Sequence, residues 1–160
     1  MTCSAVDSSM SYEQTLKDLG YDIQPVELDN GKFVQAVRTG NLIFTAGNVS
    51  SWQGDKIIGK VGREVSVEEG YKAARYSALN CLRAVKTLTG DLDKVTRIVK
   101  VLGMVNVAPD FNNTPAVIHG CSDLLREVFG AAGLHARSAV GMTLPFDYAT
   151  EIEMIVEVEA

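Results

Sequence analysis

The sequence has few of the residues on which several common protein classes depend. Its 160 residues include only three cysteines, Cys3, Cys81 and Cys121, and their odd number and wide spacing fit neither a disulfide framework nor a zinc pattern. The last two lie among apolar positions and are predicted to be core thiols. No apolar run approaches the roughly 20 residues of a membrane span. The Ser-rich segment Met1–Met10 lacks the layout of a secretory signal and is predicted to be disordered. We therefore expect a cytoplasmic protein, with an organelle matrix as the alternative.

Positive charge is scarce as well. Lys and Arg number 15 against 20 Asp and Glu, which gives a net charge of −5 and a pI of about 5.0. Nucleic-acid binding needs a clustered basic surface, so a nucleic-acid partner is not expected. The sequence also has no Gly-rich phosphate loop and no nucleophile elbow. We expect neither a metal nor an organic cofactor.

Histidine occurs at only two positions. His119 falls within a predicted helix and is expected to be a surface or half-buried residue rather than a ligand. His135 precedes Arg137 by two residues and is expected to lie in a loop. The alternative is a place in a site beside Arg137, because histidine titrates near neutral pH.

The most regular stretch is the C-terminal segment Arg137–Ala160. In its second half, apolar residues alternate with glutamates, which is typical of a strand with one face on a core. The first half alternates too, and Pro145 and Asp147 between the halves favour a turn. The pattern predicts a closing hairpin with a small or charged outer face. Arg137 at its edge could hold a carboxylate through two hydrogen bonds; the alternative is an exposed arginine that only solubilises a strand.

Capping residues predict three helices. A short one covers residues 11–19. The first long helix begins with the capping box of Ser66 and Glu69, and the second has Thr114 as its N-cap and Pro115 in its first position. Glycines end the two long helices, namely Gly90 and Gly130. Strands are predicted over Lys32–Arg38, Asn41–Ala46, Lys56–Ile58 and Val95–Val107, with a hairpin turn at Gly40-Asn41.

These elements predict an α+β protein. Two long helices with one apolar face each can cover one face of a mixed sheet. The strand around Ile43 and the central run Val95–Val107 are apolar on both faces, so a second subunit is expected to cover the other face. Residues 1–20 are predicted to form a tail with a short helix, and residues 21–160 a single domain.

Several short motifs follow one another in an order known from one family. They are Gln35-Ala36-Val37, the run from Gly40 to Gly47, Ala136-Arg137-Ser138-Ala139-Val140, Leu144-Pro145 and Glu151-Ile152-Glu153. On these residues the chain resembles the Rid family of reactive-intermediate deaminases, also called YjgF-like and long labelled endoribonuclease L-PSP, and within it the longer branch. The resemblance implies a chorismate-mutase-like fold and a homotrimer with ligand sites between subunits. It also implies hydrolysis of 2-imino acids to 2-keto acids and ammonia.

The resemblance implies roles for three residues. Arg137 matches the arginine that holds the substrate carboxylate, and Gly47 matches the glycine whose backbone contacts the substrate. Glu151 matches the glutamate associated with the attacking water, so that Glu151 and Arg137 are the implied catalytic pair.

At other positions the chain departs from the family pattern. Phe33 stands where typical deaminases have a tyrosine, Ala46 where they have a serine, and Ala139 where Cys or Thr is frequent. Ser122 and Asn113 are the candidates for the asparagine of the second long helix. Three functions stay open: an imine or enamine deaminase, a non-catalytic trimer that binds small carboxylates as a sensor or chaperone, and, less favoured by the acidic pI, an endoribonuclease or translation inhibitor.

The predicted hairpin also has a consequence for the site. Its register pairs Thr143 with Glu151 and Arg137 with Glu157. Arg137 and Glu151 would then share the outer face but lie about 20 Å apart. One small imino acid could not touch both within one chain, so the two residues are expected to meet across a subunit interface.

Overall fold

The computed structural model describes residues 10–160, so Cys3 and all but the last residue of the predicted disordered segment Met1–Met10 lie outside it. Three α-helices and eight strands follow one another in this part of the chain. In order they are α1 Tyr12–Asp18, β1 Ala36–Thr39, β2 Leu42–Thr45, β3 Asn48–Val49, β4 Ser51–Trp52, β5 Asp55–Lys56, α2 Val67–Thr89, β6 Val95–Asn106, α3 Thr114–Phe129, β7 Ala136–Met142 and β8 Thr150–Val158.

Local sequence signals account for most helix ends. Ser11 accepts a hydrogen bond from the backbone of Gln14 at the start of α1. Both bonds of the capping box between Ser66 and Glu69 are present at the start of α2, which confirms that prediction. Gly90 ends α2 in the left-handed conformation that glycine adopts without strain.

The predicted N-cap of α3 was wrong by one residue. Asn113 flanks the helix, and Thr114 is its first helical residue. The hydroxyl of Thr114 donates to the carbonyl of Ala139 at 3.0 Å instead of capping the helix. A long-range contact to β7 therefore replaces the local bond that the sequence predicted.

The first strand is also shorter than predicted. The side-chain oxygen of Asn30 accepts hydrogen bonds from the backbone of Lys32 and Phe33, so this segment forms a turn and β1 begins only at Ala36. The strand predicted at Lys56–Ile58 begins and ends earlier, because β5 covers Asp55–Lys56, where it pairs with β4 in a small ribbon.

The main sheet is mixed, with the order β1-β2-β8-β6-β7 and β3 beside β8. Strand β6 runs parallel to β7 and antiparallel to β8. The predicted closing hairpin was therefore wrong, because β7 and β8 lie on opposite sides of β6 and do not pair. Alternation indicates which face a side chain takes, but it does not specify the neighbouring strand.

Helices α2 and α3 pack on one face of this sheet, as predicted. The sheet residues beneath them are fully buried: Ile43, Val101, Val105, Ile152 and Val156. Cys81 and Cys121 lie in the same core, which confirms their prediction as buried thiols. Helix α1 is anchored to this layer through buried Leu16 and through the ion pair of Glu13 with Lys86 at 3.0 Å.

The opposite face of the sheet has no cover among residues 10–160. Large apolar side chains there remain 37–53% exposed, namely Val37, Phe44, Val140 and Met142. A depression of about 410 Å³ lies on this face between Phe44, Leu102 and Ile155, with Lys100 and Glu153 at its wall. No helix within the described residues is long and apolar enough to cross a membrane.

The two long helices cross at a glycine. A β-carbon on Gly120 of α3 would overlap the backbone carbonyl of Tyr71 of α2. Backbone cannot move aside as a flexible side chain can, so only glycine fits this crossing. The position of α3 over the sheet therefore depends on Gly120.

We predict that Gly120→Ala destabilises the protein by about 1–3 kcal/mol or more, because the added methyl group must push the helices apart. Urea unfolding followed by circular dichroism measures the change. Asn112→Ala, an exposed position just before α3, serves as the control and should change the unfolding free energy by less than about 0.5 kcal/mol. Equal midpoints for the Gly120 variant and the unmodified protein would contradict the packing described.

Candidate functional site

The predicted site residues fall into two separate groups, of which the first surrounds Arg137. Arg137 lies on β7, and its Nη1 atom contacts Ser122 Oγ at 3.2 Å and His119 Nδ1 at 2.9 Å. His119 and Ser122 are three residues apart on α3, so they occupy one face of that helix. The helix thus presents two hydrogen-bond acceptors that hold the guanidinium over the edge of the sheet.

A continuous hydrogen-bond chain runs from Arg137 to the backbone. Ser122 Oγ lies 3.0 Å from His135 Nε2, and His135 Nδ1 lies 2.7 Å from the carbonyl oxygen of Gly133. A carbonyl only accepts, so Nδ1 carries the proton and Nε2 accepts the hydrogen of the Ser122 hydroxyl. Ser122 therefore donates to His135 while it accepts from Arg137.

The same residues line a cavity of about 370 Å³, together with Asp123, Arg126 and Leu134. Burial lowers the pKa of His135. The hydrogen bond to Gly133 raises this pKa by less, and the charge of Arg137 lowers it further. The guanidinium groups of Arg126 and Arg137 supply the N–H donors of this cavity, against the single carboxylate of Asp123. Such a donor set suits an anionic group such as a carboxylate.

The second group pairs Glu151 with Gly47. Strand β3 pairs Val49 with Glu151 and so brings the Glu151 side chain over the backbone of Gly47. A β-carbon on Gly47 would lie 2.8 Å from Glu151 Oε1 and 3.0 Å from its Cδ. The absence of a side chain at Gly47 therefore makes room for the carboxylate. Burial, and after it the charge of Glu153, raises the pKa of Glu151.

Within one chain the two groups are separated. In the register of β6, Val101 pairs with Arg137, whereas Met104 pairs with Glu151. Arg137 and Glu151 are thus three residues apart along the strand direction and two strand spacings apart across the sheet, which corresponds to about 14 Å between their backbones. Arg137 also faces the helices, whereas Glu151 alternates with buried Ile152 and faces the uncovered side. The expectation that both share one face was therefore wrong, since it rested on the hairpin that does not form.

Sequence comparison places the chain among known proteins. Residues 13–152 match the family described as "YjgF/chorismate_mutase-like, putative endoribonuclease". The chain belongs to this family. Membership confirms the predicted YjgF-like relationship and the predicted chorismate-mutase-like α+β fold.

Individual relatives of this YjgF-like chain agree over nearly its whole length. Protein TCP17 of Trypanosoma cruzi is 36% identical over 145 residues, which are 89% of this chain and 91% of that protein. The structure of Atu1372, a protein with unknown function from Agrobacterium tumefaciens, is 38% identical with a TM-score of 0.86 and covers 94% of both chains. The structure of "a putative endoribonuclease" from Shewanella oneidensis is 28% identical with a TM-score of 0.87, over 93% of this chain and 100% of that one.

The other predicted site residues divide between the two groups. The backbone of Ala46, beside Gly47, donates to Gln35, and Phe33 lies two residues before Gln35 with 56% of its surface exposed. Ala139 lies on β7 two residues after Arg137 and contacts Thr114 through its carbonyl. All three bring apolar side chains to the candidate site.

The helical candidates for the family's asparagine have different positions. Ser122 contacts Arg137 directly. Asn113 lies nine residues earlier, about 13 Å away along the helix axis, and makes no side-chain capping bond. Of these two residues, Ser122 is therefore the one that belongs to the Arg137 group.

Both histidines lie where the sequence predicted, on the helix surface and in a loop, and both also contact the Arg137 group. His119 was expected to be a surface residue, and it is exposed, yet its ring accepts a hydrogen bond from Arg137. His135 joins the group through Ser122. The spacing of His119 and Ser122 on one helix face was a usable signal, but it does not specify that β7 lies beside this face. Among residues 10–160, no three His, Cys, Asp or Glu side chains are grouped to hold a metal ion.

We predict that the Glu151 carboxyl titrates above its ordinary pKa of 4.5 because burial disfavours its charged form. Glu153→Gln removes the neighbouring like charge and should lower the Glu151 pKa, though not fully to 4.5, since burial is the larger cause. Carbon-detected NMR of the side-chain carboxyl measures the titration.

Glu157→Gln is the matched control for this titration. It removes a charge from the same strand face about 20 Å away and should leave the Glu151 pKa unchanged. A Glu151 carboxyl that titrates at or below 4.5 would show that its site is as well solvated as an exposed glutamate.

Proposed function

We propose that the protein hydrolyses 2-imino acids, or their enamine tautomers, to 2-keto acids and ammonia at sites shared between subunits of a homotrimer. The observation that carries this proposal is the division of the predicted site into two complementary parts. One part presents the guanidinium of Arg137 at a cavity rich in N–H donors. The other presents the carboxyl of Glu151 above the backbone of Gly47.

The proposed reaction needs little from the protein. An imino acid is already electrophilic at its C=N carbon, so hydrolysis requires orientation, a water molecule and one acid–base group. Arg137 orients the substrate by binding its carboxylate with two parallel N–H donors. Glu151 takes a proton from the attacking water and returns it to the departing nitrogen. Burial raises the pKa of this carboxyl, and a higher pKa makes it a stronger base toward the water.

Trimer formation is part of the proposal because one chain does not bring the two parts together. Arg137 and Glu151 lie on opposite faces of the sheet about 14 Å apart, which exceeds the reach of one small imino acid. Association through the uncovered apolar face would bury Val37, Phe44 and Val140. Because β7 is an edge strand, Arg137 could then meet Glu151 of the next subunit around this edge.

Two other functions remain as outcomes of the tests. Phe33 and Ala46 stand where the family resemblance implies hydroxyl-bearing residues, which favours a protein that binds small carboxylates without turning them over. The family description names an endoribonuclease. A net charge of −5 disfavours a large phosphate-binding surface, so RNA cleavage is not expected. An assay of RNA cleavage beside imine hydrolysis tests this.

We predict that Arg137→Lys weakens pyruvate binding at least about tenfold, because a point charge cannot replace the planar fork of the guanidinium. Calorimetry measures the affinity, and 2-iminobutanoate generated by an amino-acid oxidase provides the matching rate assay. Arg126→Lys makes the same exchange in the same cavity and is the control, since Arg126 is not hydrogen-bonded to Ser122 or His119.

The combined outcome separates the candidate functions. Loss of pyruvate binding together with loss of imine hydrolysis supports the deaminase. Loss of binding in a protein that never hydrolyses the imine supports the carboxylate binder. RNA cleavage that disappears in Arg137→Lys would support the nuclease instead.

Subunit mixing tests the shared site. Arg137→Ala and Glu151→Ala are each expected to be inactive. Refolded together in equal amounts, random trimers should regain activity at about a quarter of their sites, since each intact residue is supplied by half of the chains. Wild-type protein refolded in parallel controls for recovery, and sedimentation equilibrium checks for three chains of 17.3 kDa. A mixture as inactive as its parents would assign the reaction to one chain or remove Glu151 from it.

A further inference from the structure

Ser122 could position Arg137 without His135, so the hydrogen bond between Ser122 and His135 calls for another explanation. Its elements are a hydroxyl, an imidazole nitrogen 3.0 Å away and a carbonyl that holds the other ring nitrogen at 2.7 Å. A nucleophilic serine has the same three parts: the nucleophile within hydrogen-bond reach of a base, and the base oriented by a third group. In this chain the backbone of Gly133 is the orienting group.

We propose that Ser122 is a nucleophile activated by His135, and that this pair gives the Arg137 cavity a second activity, the hydrolysis of small carboxylic esters through an acyl-serine intermediate. This inference does not rest on imine hydrolysis. It uses neither Glu151 nor a second subunit, because all of its groups belong to one chain.

The geometry prepares His135 to act as the base. Its Nδ1 proton is held by the Gly133 carbonyl, so the lone pair of Nε2 points to the Ser122 hydroxyl. Partial burial, and after it the charge of Arg137, favour the neutral ring that can accept a proton. Arg137 Nη1 donates to Ser122 Oγ and so stabilises negative charge that develops on this oxygen.

The cavity supplies access and a place for the oxyanion. Ser122, His135 and Arg137 all line its wall, and a volume of about 370 Å³ admits a short acyl group and a small alcohol. Nη1 of Arg137 takes part in both contacts with α3, and its Nε and Nη2 have no acceptor among residues 10–160. These N–H groups are available to an oxyanion formed beside Ser122.

The reaction balances with water as the only co-reactant. Ser122 Oγ bonds to the acyl carbon as its proton passes to His135 Nε2. The tetrahedral oxyanion collapses, the bond from the acyl carbon to the alcohol oxygen breaks, and the alcohol leaves with the proton from His135. Water then attacks the acyl-serine ester and gives a proton to His135. When this second intermediate collapses, the carboxylic acid departs and the proton returns to Ser122.

The test is covalent labelling of the full-length protein with diisopropyl fluorophosphate. Intact-mass spectrometry should show one adduct per chain, and peptide mapping should place it on Ser122. The protein should also hydrolyse p-nitrophenyl acetate with an initial burst. His135→Gln should slow labelling about 100-fold or more through loss of the base.

Three variants distinguish a nucleophilic Ser122 from labelling at another serine and from the chemistry of Glu151. Ser122→Ala should abolish both adduct and burst, and alanine suits the helix in which it stands. Ser51→Ala, at an equally half-buried serine outside the cavity, should label as the unmodified protein does. Glu151→Gln should also label normally, even if imine hydrolysis is lost.

The proposal is overturned if the unmodified protein forms no adduct, if Ser122→Ala is still labelled at the same rate, or if His135→Gln reacts as fast as the unmodified protein. An unlabelled protein in which Ser122→Ala weakens pyruvate binding would show that the pair only positions Arg137.

Discussion

The pairing of β6 with both β7 and β8 governs where every site residue lies. Val101 of β6 is level with Arg137 on one side, and Met104 is level with Glu151 on the other. Because side chains alternate between faces, the odd offset of three residues sends Arg137 and Glu151 to opposite faces. A single chain therefore carries two candidate half-sites, and a small ligand that uses both must lie between chains.

Two glycines allow the close packing that positions the half-site around Arg137. A β-carbon on Gly103 of β6 would lie 2.6 Å from Ile118, and one on Gly120 would overlap the backbone of α2. These two contacts set the distance of α3 from the sheet and its position against α2. The helix face with His119 and Ser122 then stands beside β7, where it meets Arg137. The hydrogen-bond chain of Arg137, Ser122 and His135 thus depends on two glycines that take no part in it.

Polar groups are distributed unevenly between the half-sites. Next to Gly47 the chain has Ala46, which offers no hydroxyl to a ligand, and Glu151 is the carboxyl there. Around Arg137 it has a serine hydroxyl, two imidazoles and a second arginine. This contrast is the reason to consider more than one reaction for the protein.

The sequence by itself determined the long helices and the buried face of β8. Capping residues such as Ser66 and Glu69 act within one turn, and the alternation of Ile152 and Glu151 follows from strand geometry alone, so both were readable. Only the tertiary structure decided which strands pair, since β7 meets β6 and not β8. It also joined Ser122 to His135 and Arg137, which lie 13 and 15 residues further along the chain. Such contacts arise from the packing of α3 against the sheet edge, and no local signal in the sequence records that packing.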